Sequence, residues 1–264
     1  MHGCIRPYLL MMCAAMAALV CGCSAQLSPQ AKELLAAGTD AYAAGDNRLA
    51  VERMDAFLAE AGRTREAAEA FYVRGLAKYK LGDRAGARQD MQEALARTED
   101  SLLAAKASLA LGDLAFEADE MALAENMYRQ ALADLEEGVK PTDHAHFRLG
   151  NVLQRQGRWR EADVEFSRVI YFFNGSELAR RSKQRLHARA WTVQAGAYAK
   201  HENAVAALER MKRASLAARV EPFMAGRQLQ FVIKVGRYPS YEQAVAALSN
   251  VKAIQSDAFV TSTE

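Results

Sequence analysis

From residue 28 to residue 173 the apolar positions recur every three to four residues and are interrupted at intervals by short polar turns, the pattern of successive amphipathic helices. Ser28-Pro29 supplies an N-cap followed by proline at the first helical position. The small residues then fall on a grid. Gly38, Gly75, Gly112 and Gly150 are separated by 37, 37 and 38 residues. Seven residues after each comes a turn residue: Gly45, Gly82, Asp119 and Gly157. Twelve after each is an alanine (Ala50, Ala87, Ala124, Ala162), and sixteen after each is a bulky Met54, Met91, Tyr128 or Phe166. This spacing predicts four antiparallel helical hairpins over 28–173. The small residues mark the contact within a hairpin, and the large ones are expected to fill the gap to the next unit.

Beyond residue 190 the period shortens to two. Residues 191–198 alternate and are rich in aromatic and β-branched types, which predicts a strand. A helix follows from Asn203 to about Ala217 with Val205, Leu208 and Met211 on its apolar face. Strands are expected at Arg219–Met224 and Leu229–Tyr238, a helix capped by Ser240 runs to about Gln255, and a last strand covers Asp257–Thr261. The order is βαββαβ, two split halves of a ferredoxin-like α+β module. The halves repeat each other. Trp191-Thr-Val-Gln-Ala-Gly196-Ala-Tyr198 with Ala204-Val-Ala-Ala-Leu208 superposes on Phe231-Val-Ile-Lys-Val-Gly236-Arg-Tyr238 with Ala244-Val-Ala-Ala-Leu248 at one 40-residue offset. Gly196 and Gly236 are expected to end their strands, where no side chain fits or φ must be positive. Side-chain alternation turns Val193 and Ala195, and Phe231, Ile233 and Val235, toward the helices. Thr192, Gln194, Gln230, Val232 and Lys234 are thereby expected on the opposite, open face of the sheet.

These motifs carry two resemblances. Leu149-Gly150 with Gly157 and Ala162, and Leu111-Gly112 with Ala124 and Ala131, resemble tetratricopeptide repeats, although the spacing exceeds the usual 34 and the customary Trp and Pro are missing. The resemblance implies an all-α solenoid whose first helices line a partner groove, here carrying Tyr42, Tyr72, Tyr79, Leu109, Phe116, Phe147 and Asn151. An apolar, aromatic groove suits an extended peptide or a partner helix; packing of several of these rings inside the solenoid is the alternative. Val193-Gln194-Ala195-Gly196-Ala197-Tyr198 with Ala204, and Ile233-Lys234-Val235-Gly236-Arg237-Tyr238 with Ala244, resemble a SPOR domain over residues 191–264. That resemblance implies binding to peptidoglycan glycan strands stripped of their stem peptides, as found at the division septum. Gln194 matches the family's first motif. Ala197 stands where many members carry Ser, Val232 where Arg is common, and Gln230 where an aromatic occurs.

The N-terminus reads as an address. Arg6 precedes an apolar run of 12 residues, Leu9–Val20, short of the roughly 20 that span a bilayer. Val20-Cys21-Gly22-Cys23 resembles a lipobox, which implies removal of residues 1–22, lipidation of Cys23, a short linker to residue 27, and anchorage to the outer membrane facing the periplasm. All four cysteines lie at or before position 23, so the mature chain has no disulfide framework.

Composition adds an asymmetry. The chain is 51% apolar and 25% charged, with net charge +2. Residues 24–175 hold 19 basic and 25 acidic side chains, whereas residues 176–189 hold five and one, and the remainder nine and six. The basic segment 174–190, with Arg180, Arg181, Lys183, Arg185 and Arg189, is read as a solvated capping helix; contact with anionic lipid or wall polymer is the sharper alternative. No strongly basic domain accompanies a nucleic-acid motif. His144 and His146 stand two apart and point in different directions on a helix, so no metal pair is expected. No nucleophile motif or phosphate loop is present. The expectation is therefore a non-enzymatic cell-envelope adaptor without cofactor or metal, whose repeats hold a protein and whose C-terminal module holds glycan. The alternative is an outer-membrane-anchored assembly or secretion scaffold whose C-terminal module does not bind glycan.

Overall fold

The computed structural model describes residues 27–133 and 135–264. The expected signal segment 1–22 and Cys23 lie outside these residues. Two compact units divide at Leu103 and Ala104. The first contains α1 (Pro29–Ala43), α2 (Asn47–Ala61), α3 (Ala67–Lys80) and α4 (Arg84–Arg97). The division falls inside α5 (Ser101–Glu117). The second unit continues with α6 (Met121–Ala133), α7 (Thr142–Arg155), α8 (Trp159–Phe172) and α9 (Glu177–Arg185). It then adds β1 (Ala190–Tyr198), α10 (His201–Arg213), β2 (Ala218–Ala225), β3 (Gln228–Tyr238), α11 (Tyr241–Lys252) and β4 (Phe259–Thr263).

The local signals work as expected. Ser28, Ser176 and Ser240 each accept a hydrogen bond from a first-turn amide, those of Ala31, Ala179 and Gln243, so each offsets one orphan donor of its helix. The four turn positions all have positive φ: 84°, 88°, 61° and 75° at Gly45, Gly82, Asp119 and Gly157. Asp119 takes this conformation at a steric cost that glycine avoids.

The glycine grid marks the contact within each hairpin. A Cβ on Gly112 would stand 2.5 Å from the Tyr128 ring, and one on Gly150 would stand 2.6 Å from Phe166. Gly38 and Gly75 face Met54 and Met91 in the same way. The bulky residue sixteen positions on therefore sits on the glycine of its own hairpin and also shares a buried cluster with the next one, Met54 with Ala70 and Val73 and Tyr128 with Phe147 and Leu149. Absence of a Cβ lets the second helix bring a whole ring or thioether onto the first helix's backbone.

In the first unit, Met54, Phe57, Ala70 and Val73 form the buried cluster, with Tyr42 and Tyr72 packed at its margin. Its buried carboxylate is Asp90, 1% exposed, with Arg74 Nη2 at 2.6 Å and Lys78 Nζ at 2.9 Å. In the second unit, Tyr128, Phe147, Leu149, Leu153, Phe166 and Val169 form the helical core. Helix α9 seals it with Ala179 and Ser182.

The four-stranded sheet has the antiparallel order β2-β3-β1-β4, with α10 and α11 on one face. Val193, Ala195, Ile233 and Val235 meet Ala207, Met211 and Val251 there. The AVAAL repeats bury Ala204 and Ala244 completely while Val205 and Val245 are exposed. Val205 was expected on the apolar face, but the buried stripe of this helix runs through Ala204, Ala207 and Met211, and Val205 lies beside it. Gly196 and Gly236 lie within β1 and β3, two residues before their ends. A Cβ at either would meet the ring of Tyr198 or Tyr238, and Gly236 has φ +67°. Each half thus carries a glycine covered by the tyrosine two residues on.

The sheet is joined to the last hairpin by stacked rings. Trp191 on β1 lies 5.4 Å from Trp159 and 5.0 Å from Tyr241, centroid to centroid. Arg155 lies between Phe116 and Tyr241, at 4.3 and 4.2 Å from the ring centroids. Asp163 accepts from the His187 backbone at 2.9 Å and from Arg189 at 2.7 Å.

Candidate functional site

The sheet face opposite α10 and α11 holds a cavity of about 300 Å³. The strands contribute mainly side chains of one parity: Gln194 from β1, Glu221 and Phe223 from β2, Gln230, Val232 and Lys234 from β3, and Phe259 and Thr261 from β4, with Pro222 and Ser262 also on the lining. The register explains the gathering. Gln194 stands opposite both Lys234 and Phe259, and Phe223 stands opposite Gln230. Gln184 of α9 closes one side.

Four of the five residues expected on this face line the cavity: Gln194, Gln230, Val232 and Lys234. Val232 is only 4% exposed, so it forms floor instead of projecting. Thr192 is a correction. It is fully buried and donates to the carbonyls of Val235 at 3.1 Å and Gly236 at 2.9 Å. A register shift between Trp191 and Val193 leaves those carbonyls for the hydroxyl to satisfy.

The polar groups are ordered by charge. Glu221 receives Lys234 Nζ at 2.6 Å and Arg219 Nε at 2.7 Å. Burial alone would raise the Glu221 carboxyl, but the hydrogen bonds from Lys234 and Arg219 outweigh it and hold the group below the usual carboxylate range. Lys234 also reaches Thr263 Oγ1 at 3.3 Å. At opposite edges of the sheet Phe223 and Phe259 stay 41% and 50% exposed. Three strand spacings, about 14 Å, separate those edges. The cavity thus offers amides that both donate and accept, a cation, and two flat apolar plates.

Phe223, Phe259 and Glu221 were missed by sequence reasoning. The alternation of Arg219, Glu221 and Phe223 was available as a signal, but β2 was read without assigning its faces. The fourth strand was placed two residues early.

The proposed partner groove divides between the two units. In the first, Tyr42, Tyr72 and Tyr79 are half-buried. Burial, with nearby Tyr42 second, pushes the Tyr72 hydroxyl up to about 12. Arg84 stands 5.8 Å from the Tyr79 ring. In the second unit Leu109 and Phe116 pack at the margin of the core, and Phe116 is covered by Arg155. Phe147 is a correction: it is 2% exposed, 6.0 Å from Phe166 and capped by Arg181 at 4.6 Å. Asn151 is 8% exposed. These two belong to the interior because α9 packs across α7 where a further repeat would otherwise continue the groove.

Among the described residues no cluster of His, Cys, Asp or Glu could hold a metal ion, and no helix is long and apolar enough to cross a membrane.

Residues 187–262 match the SPOR domain family. No curated protein matches the chain. Among solved structures, a tetratricopeptide repeat protein from Parabacteroides merdae superposes with TM-score 0.52 at 18% identity, covering 60% of this chain and 59% of that one. The crystal structure of MamA gives 0.50 at 19% identity, covering 61% and 80%. The Cut9–Hcn1 hetero-tetramer of APC/C gives 0.51 at 16% identity, covering 60% and 30%. The chain therefore combines tetratricopeptide-like helical repeats with a C-terminal SPOR domain. The SPOR domain belongs to a peptidoglycan-binding family.

Proposed function

We propose that this chain is a lipid-anchored adaptor of the cell envelope that grips peptidoglycan glycan strands through the open face of its SPOR domain and a protein through its repeats. The observation that carries this reading is the cavity in which Gln194, Gln230 and Lys234 converge between exposed Phe223 and Phe259. A sugar strand needs amides for its hydroxyl and acetamido groups, and flat apolar surfaces for its ring faces. Stripped, septal strands are the favoured ligand because the match to the SPOR family implies them. Anchorage rests on the lipobox-like Val20–Cys23, which puts the module on the periplasmic side of the outer membrane.

The test is co-sedimentation of the purified chain with amidase-treated and with intact sacculi. Preferential pelleting with treated sacculi, reduced in Phe259→Ala and Lys234→Ala, supports the reading. Equal pelleting with both sinks the preference for stripped strands. Absence of pelleting would favour the scaffold reading, to which Val232 at the centre of the floor also lends weight. Anchorage is tested by fatty-acid labelling, which Cys23→Ala should abolish.

A further inference from the structure

The cavity is not built by the family module alone. Gln184 lines it from α9, outside the matched residues 187–262. Helix α9 is not a loose tether. Gln154 Nε2 donates to the Arg185 carbonyl at 2.9 Å, and Ala179 and Ser182 are buried on the repeat core. Asp163 of α8 clamps the next residues through His187 and Arg189. The last repeat therefore fixes Gln184 beside the sheet.

On a helix, the residue four positions before Gln184 lies on the same stripe, one turn away. That residue is Arg180, whose side chain is 62% exposed and hydrogen-bonds Glu177 one turn further back. Arg181 lies alongside, its guanidinium over Phe147. The surface that leaves the cavity over Gln184 thus carries two guanidinium groups against one carboxylate, Glu177, while Lys234 in the cavity itself is paired with Glu221. Amidase removes the stem from the lactyl group of each muramic residue and leaves a carboxylate there. A stripped strand is therefore a regularly spaced polyanion, while an intact strand has those carboxylates in amide bonds.

We infer that the glycan site extends from the sheet cavity over Gln184 onto the basic stripe of α9, so that the capping helix behind the last repeat supplies part of the carbohydrate site and reads the free lactyl carboxylates of a stripped strand. This rests on the glycan reading above. The occupant is chosen by charge complementarity. The acidic repeat region is unlike this stripe, and five of the six charged residues in 176–189 are basic.

The experiment uses the full chain and amidase-treated sacculi, with Gln184→Glu and Arg180→Glu as variants. Both side chains are exposed, so the fold is retained, which circular dichroism checks. Each variant should bind about three- to five-fold more weakly at low salt, the scale of one surface ion pair. The gap should close as ionic strength rises toward 1 M. If the variants and the wild type pellet alike, the extension is overturned while Phe259→Ala still reports on the sheet cavity. A loss that salt does not diminish also overturns it. If the wild type itself does not pellet, the glycan reading falls and the extension with it.

Discussion

Replacing Gly112 with alanine tests the packing rule of the hairpins. The new Cβ would lie 2.5, 2.7 and 3.0 Å from Tyr128 Cε1, Cδ1 and Cζ. Comfortable carbon contacts lie at about 3.5–4.0 Å, so the ring must retreat by about 1 Å. It has nowhere to go, because Tyr128 is fully buried and its hydroxyl donates to Asp113 Oδ1 at 2.7 Å. Because the ring is pinned, the overpacking cost falls in the upper part of the usual range, about 2–3 kcal/mol. Removing a glycine from a helix interior returns about 1 kcal/mol. The net expectation is a loss of about 1–2 kcal/mol, or roughly 2–8 °C in Tm for a unit of this size. The chain's two tryptophans are Trp159 and Trp191, both in the second unit, so intrinsic fluorescence follows that unit specifically during urea unfolding. Gly38→Ala is the control. Its Cβ meets the Met54 methyl at 2.8 Å, the free end of a flexible thioether, so stability followed by circular dichroism should stay within about 0.5 kcal/mol of the wild type or rise. A Gly112→Ala protein as stable as the wild type by fluorescence would refute the claim that these glycines exist to seat the ring of their own hairpin.

Three further expectations follow from individual side chains. Asp90→Ala should destabilise the first unit by about 3–5 kcal/mol, because it strands Arg74 and Lys78 around a vacated, buried carboxylate site; a urea midpoint shift below a third of that would contradict the assignment. Asp119→Gly should stabilise the second unit by up to about 1 kcal/mol, since φ +61° disfavours a side chain and the lost Arg155 pair is exposed and weak; a clear loss of stability would show that the pair dominates. Glu221 has a depressed folded-state pKa, so its contribution is present above its unfolded value of about 4.3 and disappears as pH falls through the folded value. Wild-type stability should therefore drop more steeply than that of Glu221→Gln between pH 5 and pH 2, and parallel curves by fluorescence-detected unfolding would exclude the linkage.

Much of the architecture was legible because it depends on local rules. Serines at 28, 176 and 240 cap the helices they precede, and the four turn positions take positive φ. The 40-residue repeat of Gly196-Ala-Tyr198 and Gly236-Arg-Tyr238 marks the two halves of the sheet, and strand parity alone put Gln194, Gln230 and Lys234 on the open face. The errors fall where a neighbour decides. Thr192 has the right parity to be exposed, yet a register shift encloses it. Phe147 has the right helix position to line a groove, yet α9 covers it. Val205 was chosen over Ala204 by hydrophobicity, yet the buried stripe of its helix runs through Ala204, Ala207 and Met211.

The chain by itself therefore determined the element types, the repeat periods and the two families of module, because propensity, capping and alternation are properties of a few consecutive residues. Tertiary structure alone decided which residue packs on which glycine, and that Phe223 and Phe259 bracket the cavity. It also brought Gln184 of the capping helix α9 to the edge of the sheet face. These depend on contacts between segments far apart in sequence, whose geometry is set by close packing of rings and backbones. No periodicity along the chain encodes that geometry.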